Sequence, residues 1–595
     1  MVDARIYRGF VVLVAFAVIV FGFSLKTQQH GVGTTVATFG DYFAGVDNRI
    51  ATLAADYPQR APGSAGDDRL ASYVASSLRA TGGFSVSTRS FAADTVAGRR
   101  SLQTVTAVRP GLGSGTIVVV SHRDAGVGRG SDGLSGTVVM LDLARALSGE
   151  TLNRSVMLVS TSGEIGAAGT AQLAASLAGR QVDAVLALGN LSGSTVRMPV
   201  VVPWSNTDKL APPLLLNTVG RALVSQAGLN DRSSGLGGQL ARLAFPFAIT
   251  EQAPFAQYGI PAVLLSLSGD RPGGGLGARS AVRTAGMGAA VLQTVNSLDQ
   301  GPMMGTPSAY LVLSGKLVPE WAVTLLALAL ILPVAAATVD AVARTRRRGH
   351  TMARWLGWVM AGAVPFVLSL LVLLVLRGLG ILSFAPPGAV AAAGLHLAGA
   401  DQAILIALPV VAVVLGFVFV RPLCLRLLTR LPEVGRRPQS PAADAAAVAL
   451  STVMSVLALI VWVLNPYAAL LLVPGLHAWL WLAQPSARRS YTVVSLLLLV
   501  GILPALLVLF YYGNAYGLSP LSLAWSLALL PGGAMSAVMA LCWSVALGCF
   551  ASGAVIGLRA VRSAAISPEP VVTVRGPASY AGPGSLGGTK SALRR

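Results

Sequence analysis

Charged side chains are scarce in this 595-residue chain: Asp, Glu, Lys and Arg together make 11%, against 54% hydrophobic residues and a mean hydropathy of +0.67. A soluble globular chain carries about 25% charged residues, so the composition excludes a protein that is water-soluble throughout. Cysteine is nearly absent. The three present, Cys424, Cys542 and Cys549, lie in or beside apolar stretches of the C-terminal half, which leaves the rest of the chain without a disulfide, a thiol nucleophile or a thiolate metal ligand. Histidine is as rare: between residues 31 and 317 only His122 occurs. Lysine is outnumbered by arginine about tenfold while Ala, Gly and Val abound, the bias of a high-GC bacterial genome.

The formal charge of +20 and pI near 10.8 invite a nucleic-acid reading, which the placement of the charge excludes. Residues 31–315 hold 21 Lys/Arg and 17 Asp/Glu, a net of only +4. The remaining excess sits beside apolar runs, a positive-inside pattern and not a nucleic-acid face. Arg5 and Arg8 precede the apolar run Gly9–Leu25, read here as an N-terminal transmembrane anchor over 1–25; a cleavable signal peptide has the same plan, with Gly22/Ser24 as a weak cleavage site. Apolar runs near 319–340, 354–376, 402–420, 443–464, 466–483, 490–512 and 533–558 each approach the ~20 residues that cross a bilayer. They make 318–560 an all-α polytopic bundle of about seven helices. Eight spans with both termini cytoplasmic put the arginines of 344–354, 421–437, 488–489 and the tail inside, and only Arg377, at a helix end, outside. Residues 380–400 read as an outside re-entrant segment, 519–531 as an interfacial one, and 561–595 as a disordered cytoplasmic tail. The protein so placed is a multi-pass protein of the cell membrane in contact with the lipid bilayer, with residues 26–317 extracytoplasmic.

His477 is the best interior polar candidate of the bundle, expected to hydrogen-bond between helices. The Ser544, Gly548, Ser552 face and the Gly553/Gly557 pair of the last span suit close helix packing. Buried carboxylates, which a secondary transporter usually needs, are lacking.

The 26–317 region alternates helix-like and strand-like segments. Residues 70–81 repeat apolar positions at helical spacing before Gly82-Gly83, and 84–88 alternate like a strand. Strands are expected at 116–121, 155–160, 182–188 and 262–266, and helices at 135–147 and 167–177. This is an α/β domain whose chemistry belongs at the carboxyl ends of its strands. There stand Ser121-His122-Arg123-Asp124, a Gly-rich loop leading to Ser131-Asp132-Gly133, and Ser162-Gly163-Glu164. A histidine and carboxylates on separate strand-end loops, with Asp124 two residues on to hold the imidazole, is the donor set of a hydrolytic zinc site. A buried, hydrogen-bonded histidine beside Asp124 is the alternative reading of His122.

These motifs, with Arg60-Ala61-Pro62-Gly63-Ser64 upstream and Ala253-Pro254-Phe255 and Gly259-Ile260-Pro261-Ala262 downstream, resemble metallopeptidase family 28, the di-zinc aminopeptidase group, over roughly residues 50–300. The resemblance implies a zinc-exopeptidase-like ectodomain with a mixed central sheet flanked by helices, and metal ligands at His122, Asp132 and Glu164. It implies losses too. Gly163 occupies the position of the family's general base, Asn190 that of an aspartate ligand, and Ser268–Gly275 lacks the family's last histidine ligand; Thr250-Glu251-Gln252 replaces its serine-aspartate-histidine. Three remaining ligands allow zero or one zinc ion, and glycine takes no proton from a metal-bound water.

One span, this ectodomain, then a bundle is also similar to the plan of the peptidase-like membrane subunit of GPI transamidase and of endoplasmic-reticulum metallopeptidases with C-terminal spans. The expectation is a membrane-anchored pseudoenzyme that binds a peptide, a lipid-linked envelope substrate or a membrane-protein partner. An active extracytoplasmic zinc metallopeptidase and a transporter with an accessory ectodomain are the alternatives. Fold analogy supplies no substrate.

Overall fold

The computed structural model describes residues 4–33, 41–95, 98–125, 133–230, 234–271, 277–349, 351–382, 400–429, 444–483 and 490–566. Asp132, most of the 380–400 segment and the tail beyond Ile566 lie outside them.

The strands are β1 (Lys26–Thr27), β2 (Ser85–Thr95), β3 (Gly98–Arg109), β4 (Thr116–His122), β5 (Ser155–Thr161), β6 (Val182–Leu188), β7 (Val201–Val202), β8 (Ala262–Leu265), β9 (Tyr310–Leu313) and β10 (Lys316–Pro319). Seven form one mixed sheet in the order β2-β3-β5-β4-β6-β8-β7. Its centre, β5-β4-β6-β8, is parallel, and β2, β3 and β7 are antiparallel additions at the edges. Ile117, Val118, Val119 and Val120 of β4 are all fully buried, as a central strand covered on both faces requires. Leu134–Leu147 and Ala281–Gln300 contribute to one apolar core, and Ala168–Leu177 to another with Val118, Val120 and Val159. This is the expected mixed sheet flanked by helices. The expected elements recur with shifted ends: Ala65–Thr81 begins earlier, at the Ser64 side chain that accepts from Asp67 N, and β2 runs on to Thr95. The β2/β3 hairpin escaped the sequence reading because β3 is polar over Gly98–Ser101 and mostly half-buried beyond.

A small second sheet, β1-β10-β9, pairs Lys26 with Leu317. It ties the end of the first apolar helix to the start of the next, Glu320–Arg347. Both crossings from bundle to α/β domain thus lie side by side.

Seven helices among the described residues are long and apolar enough to cross a membrane, spanning 5–23, 320–347, 352–378, 406–427, 445–464, 491–516 and 537–562. The expected eighth is shorter: Pro466–Leu480 has 15 residues before a 3-10 turn, a rise of ~22 Å against a hydrocarbon core of ~30 Å. Pro520–Leu529 is a helix that buries Trp525 and Leu529 against Leu373 and Leu382. Arg377 does not reach water as expected of a helix-end arginine; it is buried and donates to Leu529 O at 3.3 Å. His477 joins helices, with Tyr7 Oη at 2.7 Å from Nδ1 and Leu330 O at 2.9 Å from Nε2. The small-residue face is in use: a Cβ on Gly548 would lie 2.4 Å from Ala363 Cα, so only glycine admits that approach.

Candidate functional site

Parallel register brings the strand-end residues together. His122, the last residue of β4, pairs with Thr161, the last of β5, so the loop that follows β5 carries Gly163 and Glu164 over the imidazole. His122 Nε2 faces Glu164 Oε1 at 3.6 Å and has no hydrogen-bond partner among the described residues. Nδ1 lies 3.3 Å from Glu251 Oε2, whose other oxygen accepts from Thr161 Oγ1 at 2.8 Å. His122, Asp124 and Glu251 are all buried.

The expected role of Asp124 is therefore corrected. Its carboxylate accepts from the backbone N–H of Glu164 at 3.2 and 3.3 Å, which shapes the glutamate loop; Glu251 holds the imidazole instead. The sequence reading registered Thr250-Glu251-Gln252 only as a lost motif. The signal was there: a carboxylate still stands at the motif's central position, one methylene longer than the aspartate. Asn190 turns inward on its own loop, its Oδ1 accepting from Ser192 N and Oγ at 3.0 and 3.3 Å.

Gly163 has φ +85°, and a Cβ there would lie 3.0 Å from Ala168 Cβ and 3.3 Å from Leu102 Cδ1. This position needs glycine. Gly133, at the start of the Leu134–Leu147 helix, is as confined, its notional Cβ being 3.1 Å from His122 Nε2.

Behind these loops lies a buried ionic frame. Arg123 pairs with Asp67 at 2.7 Å, both fully buried, and donates to Ser160 O and Gln103 O at 3.1 and 2.7 Å. Asp67 also accepts from Ser162 Oγ at 2.6 Å and Gly63 N at 3.0 Å. Arg60 donates to Arg123 O at 3.2 Å and to Tyr57 O. Arg60, whose carbonyl also accepts from Ala125 N at 2.9 Å, thus braces the backbone that follows His122.

Burial alone would lower the pKa of His122, but Glu164 and Glu251, with Asp124, outweigh it and push it up to about 10. Burial pushes Asp124 up to about 7, opposed by His122 and reinforced by Asp67 and Glu164. The site is thus rich in carboxylates around a single base.

For a metal, the described donors that converge are His122 Nε2 and Glu164. No group of three or more His, Cys, Asp or Glu able to hold an ion occurs among the described residues. A catalytic zinc takes about three protein ligands, one more than converge here among the described residues. The carboxylate on Nδ1 and the unpartnered Nε2 match the outer and inner sides of a histidine ligand.

The segment that supplies Glu251 also docks the domain on the bundle. Ile249 O accepts from Gly166 N at 3.0 Å. Phe247 packs edge-on to Tyr512 and Tyr516 of the Tyr491–Tyr516 helix. Arg242, 3% exposed, pairs with Asp270 and donates to Tyr516 Oη and Phe247 O at 2.7 Å, with the Tyr511, Tyr512, Tyr516 and Trp204 rings around it. Burial works against this charge; Asp270 and the three tyrosines outweigh it and raise the pKa of the guanidinium above its ordinary value. Asp270, in the loop expected to lack a ligand, thus serves the junction.

No protein-family profile matches the chain, and no curated protein matches it. Solved structures similar to it include glutaminyl cyclase from an Acidobacteriales bacterium, 18% identical, with a TM-score of 0.36 over 46% of this chain and 99% of that one. Glutaminyl cyclase from Porphyromonas gingivalis is 15% identical, with a TM-score of 0.35 over 43% and 96%. A zinc aminopeptidase from Bacillus subtilis is 11% identical, with a TM-score of 0.34 over 44% and 97%. Each matches less than half of this chain.

Proposed function

We propose that this chain is a membrane-anchored, peptidase-like protein of family-28 ancestry whose α/β domain, held outside the membrane with both termini cytoplasmic, binds a peptide, a lipid-linked envelope substrate or a partner enzyme without cleaving it. Gly163 carries the reading. At the position where hydrolysis needs a proton acceptor there is glycine, its backbone is left-handed, and a Cβ would sit tightly against Ala168 and Leu102, so a longer side chain is strained there. The arginine-rich loops support the orientation.

The test is peptidase turnover and metal content of the full chain in detergent, for wild type and His122→Ala. The expected outcome is no turnover above background for aminoacyl-fluorophore or pyroglutamyl-forming peptide substrates. Stoichiometric zinc with His122-dependent cleavage would overturn the proposal.

The unpartnered Nε2 of His122 favours one second reading, a single zinc held by His122, Glu164 and Asp132. The ion would supply Lewis-acid polarisation of a bound carbonyl, while Glu251 would hold the imidazole. One equivalent of zinc lost in Glu164→Ala, without hydrolysis, would establish binding alone.

A further inference from the structure

A cavity of about 660 Å³ lies between the α/β domain and the bundle, away from His122. Its roof is Thr207, Asp208 and the Ala244–Phe247 segment. Its walls come mainly from four helices, Met352–Gly378, Tyr491–Tyr516, Pro520–Leu529 and Ala537–Ile566, with Leu464 from the end of Asp444–Leu464.

The walls are apolar, with Leu370, Leu373, Val508, Leu530 and Met539 prominent. Two of the serines among them are satisfied within their own helices, Ser526 Oγ donating to Ser522 O at 2.8 Å and Ser544 Oγ to Ala540 O at 2.9 Å. A water needs two to four polar partners, and these walls do not present them. Leu527 and Leu547, both lining residues, are exposed, so the space is not fully enclosed.

The charged group of the lining is at the roof. Asp208 lies there, and Asn465 is anchored there by its bond to Leu243 O at 2.8 Å. Trp543 lies tilted against Phe245 with ring centroids 5.0 Å apart, and its indole N–H is shielded from water with no acceptor among the described residues. No arginine or lysine lines the space among the described residues.

We infer that this cavity is a binding site for one acyl chain of an amine-bearing phospholipid, with the chain along the apolar walls and the ammonium against Asp208. Size agrees: at ~30 Å³ for each water-sized methylene, a chain of 16 to 18 carbons fills roughly 500 Å³. Asp208 is the charged residue among the lining residues, with Lys209 acting on it from outside the lining. The inference is independent of whether the His122 site binds metal or cuts.

The test uses the full chain in nanodiscs with photoactivatable palmitoyl phosphatidylethanolamine, in parallel with the phosphatidylglycerol analogue. Saturable labelling of wild type is expected, mapped to peptides containing 505–518 or 536–547 and competed by unlabelled phosphatidylethanolamine. Ala505→Phe and Ser369→Phe fill the space from opposite walls, and each should cut labelling at least tenfold. Leu496→Phe, on the exposed side of the Tyr491–Tyr516 helix, should leave labelling unchanged. Phosphatidylethanolamine should label at least fivefold better than phosphatidylglycerol, a preference that Asp208→Asn abolishes. Wild-type labelling that maps elsewhere, resists competition or survives in folded Ala505→Phe overturns the site. Equal labelling by the two lipids overturns the assignment of the ammonium to Asp208.

Discussion

Replacing Gly163 by glutamate, the substitution that would restore a proton acceptor, should destabilise the domain instead of activating the site. The backbone there has φ +85°, a conformation that costs an L-residue about 1–2 kcal/mol. The added Cβ meets Ala168 Cβ at 3.0 Å and Leu102 Cδ1 at 3.3 Å, and crowding of this kind in a packed region adds about 1–2 kcal/mol. The total of ~2–4 kcal/mol corresponds to a fall in apparent melting temperature of roughly 4–8 °C for a domain of this size. Gly163→Ala carries the same Cβ and backbone penalty without the carboxylate, so it should account for most of the loss. The assay is thermal unfolding of the full chain in detergent, followed by tryptophan fluorescence, with peptide turnover measured below the transition. A Gly163→Glu protein as stable as wild type, or one that gains turnover, would refute the steric argument and with it the reading of this site as non-hydrolytic.

Other perturbations follow from the same contacts. Arg123→Met leaves Asp67 buried without its cation and should cost about 3–5 kcal/mol, measured by chemical denaturation; a loss under about 1 kcal/mol would show that the frame around His122 does not depend on the pair. Arg242→Met strands Asp270 at the junction and should cost a similar ~3–5 kcal/mol, read as faster hydrogen exchange in 245–251 and in the 163–167 loop that Ile249 O holds; unchanged exchange in the loop would disprove the mechanical link. Glu251→Gln keeps the size of the side chain but removes the charge beside Nδ1. If that carboxylate orients the ring, metal affinity measured by zinc titration should fall about tenfold or more, and an equal affinity would sink that role. Tyr7→Phe removes one interhelical hydrogen bond to His477 and should lower stability by about 1 kcal/mol, with no change in the expression of the α/β domain.

Much of the α/β domain is legible in local pattern. β4, β5 and β6 are continuous apolar or β-branched runs bounded by turn residues, a signal that survives in any context because a strand buried on both faces must be apolar throughout. The site was legible where it lies at strand ends: His122 and Glu164 meet because β4 and β5 pair in parallel. Glu251 was legible only as a carboxylate left standing in an altered motif; that it reaches His122 from 129 positions away, through a loop without regular structure, is encoded in no local pattern. The same holds for Arg242 and Asp270. Each reads as an ordinary surface charge in sequence, and only docking on the tyrosines of the Tyr491–Tyr516 helix makes burial tolerable.

Hydrophobic length and charge asymmetry by themselves determined that this chain has an N-terminal apolar helix, a folded α/β region and an apolar helical bundle, because lipid and water impose those compositions residue by residue. Tertiary structure alone decided which carboxylate holds the one central histidine and that a side chain at Gly163 is strained. It also decided that Pro466–Leu480 stops short of a full span and that an apolar cavity lies beneath the domain. Each depends on distances between segments remote in the chain, or on a backbone angle, and neither is a property of composition.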